Sequence, residues 1–199
     1  MRREILSRAL WVCCAVLLAA CDGGTESEVL DPSGTVRFAY RGPISGSYEA
    51  TGELQVGEGA LPRPATGATA VRRDSLLAVL AFQHSGGTRG DGFSLILGAL
   101  RKTGSYNIDA LGCQTAPGSC RVGVFARDLD AAMLTASPDT AGLGANAYVM
   151  VFGNVNVTRL TDLRVRGTFN GVAVRLSDQN LLNPVTITGG EFDVPIPPQ

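Results

Sequence analysis

Residues 35–41 read TVRFAYR and residues 47–56 read SYEATGELQV, with GPISG between them. Val36, Phe38 and Tyr40 fall on one face of the first segment, opposite Thr35, Arg37 and Arg41. In the second, Tyr48, Ala50, Leu54 and Val56 oppose Glu49, Thr51, Glu53 and Gln55. Period-two alternation over this length specifies a strand with one buried face. A glycine- and proline-bearing link between two such segments specifies a hairpin. Gly52 lies on the apolar face, which points to a bend or a close backbone approach.

The same grammar continues along the chain. Residues 57–68 (GEGALPRPATGA) read as a loop, punctuated by glycine and proline. Residues 74–83 (DSLLAVLAFQ) are apolar on both faces and fit a helix or a buried strand; the neighbouring strands favour a strand. Residues 85–92 read as a turn, 93–100 as a strand, and 105–109 as its short partner beyond Lys102-Thr103-Gly104. Residues 121–126 form another strand, and a helical turn near 130–134 is one reading of an Ala- and Gly-rich stretch. Residues 147–160 are one long strand or two joined at Gly153-Asn154. Residues 163–176 carry Asn170-Gly171, a type I′ hairpin signal, but one long strand bent at Gly167 and Gly171 is favoured. Residues 185–194 close the domain before Pro195, Pro197 and Pro198.

Eight to ten strands with mostly short turns imply an all-β domain over 35–199, an antiparallel sandwich or barrel. Sandwich and barrel both remain open at this point, since either solves the edge problem.

The first 20 residues differ in kind. Arg2, Arg3 and Arg8 precede an uncharged apolar run from Ala9 to Ala20. The run is too short to span a bilayer as a helix and has the length of a signal-peptide core. It ends in Leu18-Ala19-Ala20-Cys21. This resembles the lipobox of bacterial lipoproteins, in which cleavage falls between the last small residue and cysteine. The resemblance implies a signal-peptide helix removed after Ala20. It also implies diacylglycerol and acyl chains, palmitate among them, on Cys21, and a protein anchored to a membrane of the cell envelope. Residues 21–34 would then be the lipidated cysteine and a flexible acidic tether. Asp22 resembles the inner-membrane retention signal of enteric bacteria, a rule that varies between lineages, so the periplasmic face and the cell surface both stay open.

Cleavage would remove three arginines and one glutamate, taking the formal charge from −1 to −3. No basic patch is visible, which argues against a nucleic-acid partner. Cys13 and Cys14 would leave with the leader, so Cys113 and Cys120 remain as an even pair in an oxidising compartment. A disulfide there would close a loop around Pro117-Gly118.

No catalytic set emerges. His84 is the only histidine and reads as a solvated turn residue. There is no G-x-S-x-G elbow, no zinc ligand set and no calcium loop, and no cofactor is implied. Asp128, Asp130 and Asp139 with Arg127 are the carboxylates whose convergence would revive an enzyme. Arg89-Gly90-Asp91 is read as a chance tripeptide and Asn156-Val157-Thr158 as strand residues. The only tryptophan, Trp11, lies in the leader, and Tyr40 and Tyr48 fall on core faces, which weakens a sugar-binding platform.

Near the C-terminus, Gly167-Thr168-Phe169 is echoed by Gly190-x-Phe192. This resembles the closing strands of uncharacterised β-rich bacterial lipoproteins and implies the fold class alone. The expected role is a non-enzymatic structural or protein-interaction domain. The alternative is a binder of a small apolar ligand, motivated by inward glycines at Gly52, Gly98 and Gly167.

Overall fold

The computed structural model describes residues 31–55, 65–73, 76–110, 120–130, 146–177 and 183–198. Among the described residues ten strands run in chain order: β1 (Gly34–Arg41), β2 (Gly46–Gly52), β3 (Gly67–Arg73), β4 (Leu76–Gly86), β5 (Arg89–Gly98), β6 (Gly104–Asp109), β7 (Val122–Asp130), β8 (Ala147–Leu160), β9 (Arg164–Arg175) and β10 (Val185–Pro195). They form one antiparallel sheet, nine of them in the order β2-β1-β10-β9-β8-β7-β5-β4-β3 with β6 paired to β8 off this path, nearly closed into a barrel.

Closure rests on small residues. A parallel bridge between Glu53 and Ala68 joins the end of β2 to β3. A Cβ built on Gly67 would lie 2.6 Å from the Glu53 carbonyl oxygen, and one on Gly52 would lie 2.7 Å from that of Thr66. One on Gly34 would overlap the Ala68 carbonyl. Ala68 and Ala70 are fully buried beside this seam, and the Thr69 hydroxyl reaches the Pro195 carbonyl at 3.5 Å. The strand that closes the barrel therefore opens with glycine, alanine and threonine, Gly67 to Ala70, before Val71, Arg72 and Arg73. That composition is why its first residues read as loop.

β8 turns the sheet. Its first residues pair with β7 (Ala147 to Val149), and Phe152 to Val157 then pair with β6 on the same edge. β6 is thus not the partner of β5, as the short turn between them suggests. The far edge of β5 is already taken by β7 through Ile96↔Val122 to Arg89↔Asp130.

The remaining alternatives resolve toward length. Residues 76–86 are strand, with Val79 and Ala81 buried on one face and Phe82 on the other. β8 and β9 are each continuous, and Asn170-Gly171 lies mid-strand opposite Asn154 and Gly153. The turn expected over 85–92 shrinks to Gly87-Thr88, because β4 and β5 run on to Gly86 and from Arg89. Leu129 and Asp130 belong to β7; residues 131–145 lie outside the described ones.

The interior is filled by aromatic rings. Phe38 lies within 4.9–6.3 Å of Tyr40, Tyr48, Phe93, Phe125 and Phe169, ring centroid to centroid. Phe93 and Phe169 stack at 5.0 Å. Each such pair contributes about 0.5–1.5 kcal/mol beyond its buried area. A second apolar cluster, Leu54, Phe82, Ala126, Leu129 and Ala147, lies on the other face of β4.

Candidate functional site

Ala20, Cys21 and Cys113 lie outside the described residues, as does Asp139. Cys120 stands just before β7, and beside it the Asp109 N–H donates to the Arg121 carbonyl at 3.1 Å, joining the described residues on either side of 111–119.

The carboxylates of β7 do converge, but on partners that neutralise them. Arg89 reaches from β5 to both carboxylate oxygens and the carbonyl of Asp128. Asp91 accepts the Asp128 N–H at 3.1 Å and lies 3.5 Å from Arg127 Nε. The Thr88 hydroxyl bonds Asp130 at 3.2 Å. Asp128 has φ of 57°, the left-handed conformation that aspartate tolerates better than most residues. It forms a bulge opposite Asp91, where the β5–β7 register shifts. The cluster thus ties the ends of two strands together. Sequence reasoning passed over Arg89 and Asp91 as a chance tripeptide; both belong to this tie.

Below it lies Tyr48, 1 % exposed, its hydroxyl without a hydrogen-bond partner among the described residues. Burial pushes this phenol well above its ordinary pKa, and the nearby Asp91 charge acts the same way.

His84 is not a solvated turn residue. It sits in β4, partly buried, and its backbone N–H bonds the Thr66 hydroxyl at 3.0 Å. Tyr40, Tyr48 and Tyr148 are buried, and Tyr106 lies under the Arg121 guanidinium at 4.7 Å.

Two of the inward glycines, Gly52 and Gly167, leave no room. A Cβ on Gly167 would lie 2.5 Å from Phe192 Cζ, and one on Gly52 would meet the Thr66 carbonyl. Gly98 is needed for its φ of 69°.

The outer face of β1, β10, β9, β8 and β6 carries two kinds of surface. One is an open groove of about 750 Å3 lined by Arg37, Arg159, Arg166, Thr168, Glu191 and Asp193, among others. Its arginines are answered: Arg37 bonds Glu191, and Asp193 lies between Arg164 and Arg166. The other is a grid of amides and hydroxyls. Asn170, Asn154 and Asn107 stand directly opposite one another across β9, β8 and β6. In the next row stand Thr168, Asn156 and Ser105, with Ser105 Oγ 3.0 Å from Asn154 Oδ1. Phe152, 62 % exposed, lies at the other end of the grid between Val172 and Asp109.

No protein-family model matches the chain, and neither a curated protein nor a solved structure matches it.

Proposed function

We propose that this chain is a lipid-anchored protein of the bacterial cell envelope whose β domain is non-enzymatic and acts through its outer surface. In this reading residues 1–20 are removed, Cys21 carries the lipid, and the tether ends at residue 30, short of the expected 34, because Gly34 belongs to β1 and Arg164 holds Asp31 and Ser33. Support for the anchor is the order of charged segment, apolar run and Leu18-Ala19-Ala20-Cys21, ahead of a compact unit that starts at Asp31. A single acyl chain binds a bilayer only marginally, so two or three chains on Cys21 would make the attachment stable.

The observation that favours a surface role over an interior ligand is the packing at Gly167. The space a ligand would need there is held by the Phe192 ring. The answered charges around Asp128 likewise favour a structural tie over a catalytic group.

A Cys113–Cys120 disulfide is part of the proposal, supported by the Asp109–Arg121 bridge that closes the same loop. On the chain-entropy model such a small loop gives about 2–3 kcal/mol.

The test is metabolic labelling with palmitate in a bacterial host, followed by membrane fractionation. The expected result is label in the membrane pellet, lost with Cys21→Ser. Label or pelleting that survives this substitution overturns the anchor. Native mass spectrometry of the exported protein tests the interior: a retained lipid or other apolar molecule would favour the ligand-binding alternative.

A further inference from the structure

We infer that the amide grid on the outer face of β9, β8 and β6 binds a glycan, with Phe152 as the stacking platform for a pyranose ring. This inference names the class of partner for the surface role proposed above, and it does not depend on the lipid anchor.

Asparagine is depleted in strands, because its side chain competes for backbone hydrogen bonds. Four of the chain's seven asparagines nevertheless lie mid-strand in this one patch: Asn107, Asn154, Asn156 and Asn170. Three of them form a straight row across neighbouring strands. Strand spacing sets such a row at about 4.8 Å per step. Each amide offers two donors and one acceptor in a plane, the set that a pair of neighbouring sugar hydroxyls requires.

Phe152 is the aromatic with the greatest exposure among the described residues, and it sits on the same face of β8 as Asn154 and Asn156. A lone exposed ring beside rows of hydrogen-bonding groups matches a ligand with one apolar C–H face and a polar edge. Protein interfaces place Tyr, Trp or Arg anchors within a continuous apolar centre, which this patch lacks. A nucleic-acid ligand would need a net positive surface, and the patch is neutral to acidic.

The experiment uses the full chain in mild detergent. It is sedimented with insoluble peptidoglycan, chitin and cellulose, and the retaining polymer is then tested as a soluble oligosaccharide by calorimetry. Retention on at least one polymer is expected, with release by the oligosaccharide. Phe152→Ser should weaken it about tenfold or more, as should Asn154→Ala combined with Asn170→Ala. Glu49→Gln, on the exposed face of β2, should leave it unchanged, and all variants should melt as the parent does. Absence of retention on every polymer overturns the proposal, as does retention that Phe152→Ser leaves intact. Binding lost only with Arg159→Gln and Arg166→Gln would place the ligand in the arginine groove instead and equally overturn it. Palmitate labelling is unaffected by any of these results, so failure of the anchor and failure of the glycan site are read separately.

Discussion

The ring of Phe192 on β10 covers Gly167 on β9, its direct cross-strand partner. The reverse pair lies two residues along β9. There Phe169 covers Gly190, where a Cβ would meet Phe169 Cδ2 at 2.7 Å. The echo of G-T-F and G-x-F in the sequence is therefore a reciprocal exchange, each strand lending a ring to the other's glycine. Covering a strand glycine with a neighbouring ring both fills space and pins the register. Gly167→Ala is expected to cost about 1–3 kcal/mol by overpacking. Urea denaturation measures the loss. Pairing it with Phe192→Leu should recover only part, because the Asn156 carbonyl crowds the same Cβ.

That pair also marks how far the sequence was legible. Alternation at Val36, Phe38 and Tyr40 was enough for β1, since one solvated face and one buried face leave a period of two. The strand over 76–86 was ambiguous because Phe82 is buried on the face that should be polar, under a second small core. β3 was missed: Gly67 and Ala68 fell at the end of the loop read over 57–68, because the small residues that allow close approach at the seam carry no strand signal. The partner of β6 was missed because pairing across β8 is a long-range choice that no local signal carries. Of the candidate site, Asn156 was seen as a strand residue. Its alignment with Thr168 and Ser105 needed the register of three strands. Phe152 faces outward because the bulge between Met150 and Phe152 shifts the alternation of β8, a change that no local signal carries.

Tyr48 predicts an alkaline transition. The unfolded phenol ionises near its ordinary pKa of 10.0, while burial keeps the folded one neutral to well above that. Above about pH 10 the unfolded chain releases a proton that the folded chain retains, so stability falls as pH rises; below it the contribution is fully present. Tyr48→Phe should remove this component of the alkaline fall. At pH 7 the same substitution should be neutral or slightly stabilising, since it deletes a buried hydroxyl with no partner among the described residues. Thermal melts from pH 7 to 11 check both statements, and a steeper alkaline fall in the variant would refute the first.

Arg164 predicts where the first described residues are held. Its guanidinium, 18 % exposed, pairs with Asp193 and donates to the carbonyls of Asp31 and Ser33, each at 3.1 Å. The residue therefore fastens the chain entering β1 to the β9–β10 pair. Arg164→Ala should cost about 1.5–3 kcal/mol, the range for hydrogen bonds to a charged group. Arg164→Lys should recover little, because one ammonium cannot span three acceptors in this fork. Hydrogen exchange at residues 33–36 should quicken in both variants while the centres of β8 and β9 stay protected.

The seam predicts a contrast between two glycines. At Gly34 a Cβ would run into the Ala68 carbonyl, backbone that cannot swing aside. Gly189 has a φ of 60° and nothing within 4 Å of the same position. Gly189→Ala therefore carries only the left-handed conformational cost, about 1–2 kcal/mol. Gly34→Ala must instead push β1 from β3, breaking the contact that completes the barrel. Its loss of stability should exceed that of Gly189→Ala, and exchange should rise selectively over Ala68 to Arg73, whose only partner strand along the full length is β4. Equal losses for the two variants, with β3 still protected, would mean that the Glu53–Ala68 bridge does not hold the barrel shut.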